Sequence, residues 1–407
     1  MLGKVHRTAD TDPITTMRRA NTQQMTKPPS PTHRSQSDIA LVHDYLNQYG
    51  GAERVLEAFH DVYPAAPVYT SIYAPKKMPK QYRRWKIHTS FMQRLPGVND
   101  LHQLYLPLYP TAFEQFDLSR YKVVLSSSSA FAKGVITKPD TLHVCYCHAP
   151  MRFAWNYHDY VGGEQWALRA GLVLPLVMTY VRLWDEVSSR RVDAFIANSR
   201  VVARRIRKRY GRRATVINPP VDTGLYQPRS DGKHDDYFLA VSRMIPYKRL
   251  DIVIDAFTKL KLPLKVVGSG RQRSQLRANA GPNIEFVGPV SDAQLRGLYA
   301  GCRAFIFPGE EDFGITPLEA QASGRPVIAF GAGGALESVV QGVTGEFFGT
   351  QTTECLAETV SRFDETRYDS QAIRKHAESF DTEVFKSKIR AYIKATRAEY
   401  EEHVAKI

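Results

Sequence analysis

Residues 308–327 read P-G-E-E-D-F-G-I-T-P-L-E-A-Q-A-S-G-R-P-V, directly after the apolar run A-F-I-F at 304–307. Four apolar residues closed by Pro and Gly predict a buried strand, and Pro317 is a natural first helical residue, where its missing N–H would be unpaired anyway. Glu311 then stands in the loop, and Glu319 follows eight positions on in the first helical turn. The backbone N–H groups of Gly314, Ile315 and Thr316 would face the crevice at the strand's carboxyl end, where a helix start favours a phosphate. The segment can therefore build a strand, a phosphate cradle and a helix, with an acid on each side of the cradle.

A local account competes for both acids. Thr316-Pro317-Leu318-Glu319 also has the form of a capping box, in which Thr316 accepts from the Glu319 N–H and the Glu319 side chain returns to the N–H of the cap. Glu311 lies in a loop next to Asp312, and adjacent loop acids can be ordinary solvated charge. On these residues alone, both readings of each glutamate stay open.

The same strand-loop-helix grammar runs through the chain. Short apolar runs alternate with helical patterns from Ile39 onward, as in parallel sheets with helices on both faces. In the first half they lie at 39–42, 123–125, 142–147, 194–197 and 215–217, and in the second at 237–241, 264–267, 284–287, 304–307 and 327–330. First-half runs end in His43-Asp44, the serines at 126–129, His148 and Asn198-Ser199. Ligands of open parallel sheets bind beyond the carboxyl ends of the strands, so these polar residues are expected around a cleft. The break N-P-P-V-D at 218–222 and the loop ending in D-G-K-H-D-D at 231–236 place a hinge between two α/β domains, 38–218 and 219–381. A helical pattern over 382–403 closes the chain. Residues 1–37, rich in Thr, Ser, Pro, Gln and Arg, have no apolar clustering and are expected to be a disordered tail without the apolar core of a signal peptide.

Several further residues could meet an anionic ligand. Arg243 follows the run 237–241 and Lys248 lies five positions on, so one short loop can aim a planar guanidinium and a mobile ammonium at one partner. On a basic protein they are equally two loop cations. Gly50-Gly51 precede a helical pattern at 52–60, where glycines permit close approach of backbone to a ligand and equally serve a plain turn. No G-x-G-x-x-G stands there, and Gly268-Ser269-Gly270-Arg271 lacks the third glycine, which argues against a dinucleotide dehydrogenase. Cys145-Tyr146-Cys147-His148 superficially suggests metal ligands, yet it lies in an apolar strand pattern with no second cluster, so buried cysteines are expected. The D-x-D at Asp10-Thr11-Asp12 falls in the expected tail, and no metal site is expected.

The run E-E-D-F-G-I-T-P-L-E-A-Q-A-S-G-R-P-V-I-A resembles the retaining nucleotide-sugar glycosyltransferases of family 4. So do G-G-A-E-R-V at 50–55, C-H-A-P-M-R at 147–152, I-N-P-P-V-D at 217–222 and S-R-M-I-P-Y-K-R at 242–249. The resemblance implies a GT-B fold, with two Rossmann-like parallel-sheet domains facing a central cleft. It implies that 38–218 receives the acceptor, that 219–381 holds the nucleotide-diphosphate sugar, and that the helix within 382–407 crosses back onto the first domain. It further implies that Gly50 and Gly51 lie against the diphosphate and acceptor, that His148 and Glu311 are the catalytic residues at the donor sugar, His148 orienting it or polarising a hydroxyl and Glu311 facing its hydroxyls, and that Glu319 meets the ribose hydroxyls. Arg243, Lys248 and the Gly314, Ile315 and Thr316 N–H groups would hold the diphosphate, on which negative charge grows as the glycosidic bond breaks. Retention of configuration is carried over from the family, with no cofactor beyond the donor sugar. The run C-H-A-P-M-R-F-A-W at 147–155 resembles bacterial mannosyltransferases of O-antigen or exopolysaccharide assembly, which implies GDP-mannose as donor and a lipid-linked or glycan acceptor. An epimerase or sugar phosphorylase on the same fold is the alternative, since fold does not fix function.

Composition sets the remaining bounds. A chain of 407 residues, 43% hydrophobic, can bury two ordinary cores. Four cysteines in this length do not make a disulfide framework, so a cytoplasmic location is expected. The net charge of +14 divides into +15 on residues 1–220, −2 on 221–380 and +1 on 381–407. Two clusters supply much of it. In one, Lys76, Lys77, Lys80, Arg83, Arg84 and Lys86 interleave with Tyr73, Met78, Tyr82 and Trp85; in the other, Arg200, Arg204, Arg205, Arg207, Lys208, Arg209, Arg212 and Arg213 surround Val202, Ile206 and Tyr210 at helical spacing. Such stripes can be solvated, bind nucleic acid, or attract anionic head groups at about 1 kcal/mol per basic residue. The interleaved rings favour a peripheral site on the anionic inner face of the cell membrane, and no nucleic-acid-binding module or stacking platform is evident. The apolar stretch 171–181 has 11 residues, short of the about 20 that span a bilayer, and is expected to be a buried helix or an interfacial segment.

Overall fold

The computed structural model describes residues 37–155 and 173–406. The tail reading of 1–37 therefore falls, Ser37 aside, outside the described residues, as do positions 171 and 172 of the apolar stretch. Among the described residues, β1 (Ile39–His43), β2 (Val68–Thr70), β3 (Ile87–Thr89), β4 (Val123–Ser128), β5 (Leu142–Cys147), β6 (Ala194–Ala197) and β7 (Ala214–Val216) form one sheet in the order 3-2-1-4-5-6-7. A second sheet joins β8 (Phe238–Val241), β9 (Leu264–Val267), β10 (Ile284–Gly288), β11 (Phe305–Phe307), β12 (Val327–Phe330) and β13 (Gly345–Phe348) in the order 10-9-8-11-12-13. Neighbouring strands run parallel in both. Strand order reverses between β1 and β4, and again between β8 and β11. These are the switch points where a parallel sheet opens a crevice. His43-Asp44 leaves β1, Arg243 follows β8, and the 308–316 loop leaves β11, so the fold brings the polar strand ends to these two crevices.

Some boundaries differ from the sequence reading. β4 runs on through Ser126, Ser127 and Ser128, which pair with Cys145, Tyr146 and Cys147 of β5 and are buried. The serines thus belong to the strand rather than to the loop beyond it. The short strands β2, β3 and β13 were not anticipated, because three or four residues give too little periodicity to read.

Five helices matter for the site: α1 (Gly51–Val62), α2 (Val173–Ser189), α3 (Arg200–Tyr210), α4 (Thr316–Ala322) and α5 (Thr382–Val404). One core of the first domain joins Leu41, Val55, Phe59, Val123 and Tyr146 to Phe385, Ile389 and Ile393 of α5. The Phe385 ring lies 5.9 Å from Phe59 and 5.8 Å from Tyr146. The last helix therefore completes the core of the domain that the chain built first, with about 1.5–3 kcal/mol for each large apolar side chain buried. The second sheet is covered by Phe238, Val253, Phe257 and Ile306 on one face and by Leu239, Tyr299, Phe305 and Leu318 on the other.

The two passages of chain between the domains lie side by side. The Val221 N–H donates to the Phe380 carbonyl (2.9 Å), the Thr382 N–H donates to the Val221 carbonyl (3.1 Å), and the Thr223 hydroxyl donates to the Asp381 carboxylate (2.6 Å). On α2, Leu174, Met178 and Val181 are buried while Leu176, Tyr180, Leu183 and Val187 face outward. Neither half of the expectation for 171–181 describes it alone, since one face packs and the other is open. Among the described residues, no helix is long and apolar enough to cross a membrane.

Candidate functional site

The loops after β8 and β9 are built on each other. The Ser242 N–H donates to the Val267 carbonyl (3.1 Å) and the Met244 N–H to the Ser269 carbonyl (2.9 Å). A side chain at Gly268, where φ is +122°, would place its Cβ 2.1 Å from the Ser242 carbonyl oxygen, so only glycine fits. This packing fixes the stretch that carries Arg243 and Lys248. Lys248 ends a short 3-10 turn, Pro246–Lys248, and its ammonium is hydrogen-bonded to the Glu311 carboxylate from the loop after β11. Ser242, Lys248, Gly309 and Glu311 line one small cavity. Arg243 donates to the Tyr247 hydroxyl (3.3 Å), and the Arg152 guanidinium of the first domain lies over the Tyr247 ring at 4.8 Å.

The α4 start differs from the local reading. Its cap position is Ile315, whose carbonyl accepts from the Glu319 N–H (3.1 Å), and no side chain caps the helix. The capping box is not formed, because the Glu319 carboxylate turns inward instead. It is 3% exposed and accepts from the Tyr226 hydroxyl (2.9 Å), the Tyr299 hydroxyl (2.9 Å) and the guanidinium of Arg54 on α1. Burial works against the charge of Arg54, and the Glu319 carboxylate together with the Tyr226 and Tyr49 hydroxyls outweighs this, leaving the guanidinium pKa raised. Gly314 takes φ +85°, and a Cβ there would stand 2.5 Å from the Phe307 ring. A Cβ on Gly51 would stand 3.0 Å from Ile315 Cδ1. The G-G turn of the first domain and the 314–316 turn of the second thus meet across the cleft.

In the first domain, His148 follows β5 and its Nε2 lies 2.8 Å from Ser127 Oγ. Burial holds the His148 pKa down at about 3, so the ring is neutral in ordinary buffers. Asp44 accepts from the backbone N–H groups of Ser129, Ala130, Phe131 and Ala132 and from the Ser129 hydroxyl, which shapes the loop after β4. Behind that loop, the ammonium of buried Lys133 pairs with buried Asp185 of α2. Asp185 also accepts from Trp155 Nε1 (2.6 Å) and the Tyr210 hydroxyl (2.8 Å), which ties down the far end of the 147–155 run that carries His148. Cys145 and Cys147 are buried in β5, and burial pushes the Cys145 thiol up to about 12. Among the described residues, no group of three or more His, Cys, Asp or Glu is placed to hold a metal ion.

Charge on the two domains meets in the cleft. Arg205 of α3 pairs with Asp312 and lies 3.7 Å from Glu310, and Arg152 lies 3.7 Å from Asp312. Glu337 accepts from the Arg200 N–H (2.7 Å) and from Asn218 Nδ2 (3.2 Å). Arg209 stacks over the Trp155 ring at 5.0 Å. The arginine stripe of α3 is therefore partly consumed by the second domain and by Trp155. The opposite charge bias of the two halves was the available signal for this. The lysine-rich cluster needs a correction as well. Its cations are exposed, but Met78 and Tyr82 are buried in the core and Trp85 stacks on His60 at 4.0 Å, so these rings are not offered to a lipid surface.

Comparison with known proteins follows the same division. The family model described as Glycosyltransferase Family 4 matches residues 49–225, and the one described as Glycosyl transferases group 1 matches residues 227–380. O-antigen chain mannosyltransferase C of Escherichia coli is 31% identical over 159 residues, 36% of this chain and 43% of that protein. D-inositol 3-phosphate glycosyltransferase of Geodermatophilus obscurus is 32% identical over 193 residues, 40% and 43% respectively. Alpha-1,3/1,6-mannosyltransferase ALG2 of Dictyostelium discoideum is 30% identical over 157 residues, 31% and 37%. The match spans less than half the length of these curated relatives. Among solved structures, sucrose-phosphate synthase from Thermosynechococcus elongatus superposes with a TM-score of 0.69 at 17% identity, over 88% of this chain and 100% of that one. Anabaena Alr3699/HepE, solved in complex with UDP, gives 0.63 at 20% identity, over 88% and 99%. At such identities the likeness is one of fold.

Proposed function

We propose that this chain, which belongs to glycosyltransferase family 4, moves a hexose from a nucleoside-diphosphate sugar to a lipid-linked or glycan acceptor in cell-surface polysaccharide assembly. The observation that carries the reading is the meeting of Lys248 and Glu311 at the β8/β11 switch point, with Arg243 in the same loop. Cleaving a glycosyl phosphate bond leaves negative charge on the diphosphate, and cations fixed beforehand stabilise it best. Lys248 and Arg243 supply that charge without a metal, and the N–H groups of Gly314, Ile315 and Thr316 add to it. Glu311 accepts from hydroxyls of the donor sugar, Glu319 from those of the ribose, and His148 faces the sugar from the first domain beside the Gly50-Gly51 turn. Configuration is retained.

Two of the relatives are named as mannosyltransferases, which supports GDP-mannose as donor. The exposed cations of the first domain and the outward row Leu176, Tyr180, Leu183 and Val187 support a peripheral position on an anionic membrane. Calorimetric titration with GDP, UDP, GDP-mannose and UDP-glucose tests the reading. Binding of one nucleotide and its sugar, weakened at least about tenfold in Lys248→Ala, is the expected outcome. Equal affinity in the variant would remove Lys248 from the diphosphate site.

A further inference from the structure

The carboxyl end of the first sheet contains a hydrogen-bonded chain that the donor site leaves unexplained. His148 Nε2 lies 2.8 Å from Ser127 Oγ, Ser127 Oγ lies 3.1 Å from His43 Nδ1, and His43 Nε2 lies 3.4 Å from Glu53 Oε1. His43, Ser127 and Glu53 are buried, while His148 is partly exposed. Four separate segments contribute. His43 ends β1, Glu53 stands in the first turn of α1, Ser127 belongs to β4 and is paired in register with His43, and His148 follows β5.

We infer that Glu53, His43 and Ser127 are positioning residues that fix His148 as its Nε2–H tautomer and leave Nδ1 as a bare acceptor for a hydroxyl of the sugar. The inference rests on the sugar-facing role given to His148 above. With the Glu53 carboxylate taken as the acceptor of its link to His43, His43 Nε2 carries the hydrogen of that link. With His43 taken as singly protonated, its other nitrogen is bare and is supplied by the Ser127 hydroxyl. That hydroxyl has one hydrogen, now used, so its oxygen accepts from His148 Nε2–H. Because burial keeps His148 neutral, it has a single ring proton, and that proton is placed. Asp44, next to His43 in sequence, does not intrude, since its carboxylate is filled by the 129–132 loop.

The polarity has a chemical consequence. A donating Nδ1–H would pair with any oxygen acceptor, a hydroxyl included, whereas a bare Nδ1 requires a hydroxyl hydrogen and draws electron density onto that hydroxyl's oxygen. Doubly protonated His43 would still donate to Glu53 but would reverse the two links through Ser127 and put the His148 hydrogen on Nδ1.

Nitrogen NMR on protein isotopically labelled at its histidines tests this, with signals assigned by their loss in His148→Gln and His43→Gln. Wild-type protein is expected to show His148 protonated at Nε2 and bare at Nδ1, with His43 in the same form. Ser127→Ala is expected to shift both His148 nitrogens toward an average of the two tautomers, and Ser127→Thr, which keeps the hydroxyl, to restore the wild-type positions. Glu53→Gln, whose amide can accept or donate, is expected to average the His43 signals. A wild-type His148 protonated at Nδ1, or His148 signals unmoved by Ser127→Ala, would overturn the inference. The sugar-facing role fails separately, if His148→Gln transfers sugar at the wild-type rate.

Discussion

Arg54 of the first domain and Glu319 of the second form an ion pair across the cleft, with the Glu319 carboxylate also held by Tyr226 and Tyr299. A carboxylate already accepting from three donors has little capacity left for a ribose diol, so a nucleotide that uses Glu319 must displace Arg54. Arg54→Ala is accordingly expected to bind nucleotide about fivefold more tightly, a difference of about 1 kcal/mol, while Glu319→Gln binds it more weakly. Calorimetry on both variants decides the matter. Unchanged affinity in Arg54→Ala would separate Glu319 from the ribose.

Stability should fall on mild acidification. Fully buried His143 and partly buried His148 are held as neutral rings, with pKa values down at about 4 and about 3, whereas an unfolded histidine titrates near ~6.5. Below that value the unfolded chain takes up protons that the folded chain refuses. The contribution is complete above about pH 6.5 and is lost as pH falls toward about 4, at up to ~1.4 kcal/mol per unit for each ring. Urea unfolding across this window measures the slope, and His143→Gln is expected to flatten it by one ring's share. An unchanged slope would mean that His143 is not held neutral.

The buried Lys133–Asp185 pair predicts a large asymmetry between single and double variants. Lys133→Met leaves Asp185 charged and short of a cation in the interior, at a cost of about 3–5 kcal/mol. Adding Asp185→Leu is expected to recover part of that loss, although Trp155 and Tyr210 then lose their acceptor. Denaturant melts of the three proteins provide the comparison, and a Lys133→Met protein as stable as wild type would contradict it.

For the membrane, Leu176→Glu and Leu183→Glu on α2 are expected to reduce flotation with anionic vesicles severalfold and to leave nucleotide binding intact, since both residues are exposed and distant in sequence from the donor loops. Raising salt should weaken wild-type binding by screening the basic surface. Equal flotation with neutral vesicles at any salt would count against the lipid surface.

The parallel sheets were legible because each long strand is an apolar run ended by polar or special residues, and the same ends marked Arg243, Lys248, Glu311 and His148 as candidates. The partners of those candidates were not legible. Glu319 is met by Arg54, Tyr226 and Tyr299, three residues from three distant segments, and no local pattern around Glu319 announces them. The capping-box reading failed for the same reason, since it counted only neighbours in sequence. Tyr82 and Trp85 misled in the opposite direction. Their spacing among lysines looked like a lipid-facing surface, but a short 3-10 turn at Lys80–Arg84 directs the basic side chains outward and Tyr82 into the core. His43 and the serines of β4 stood in plain view at strand ends, yet only the β1–β4 register makes Ser127 a neighbour of both histidines.

The ladder between Val221 and Phe380–Thr382 limits how the two halves can part. Two pins set on one line let a door swing but not slide. Arg54–Glu319 and Arg205–Asp312 both bridge the facing rims, so a swing about that ladder would stretch the two pairs together.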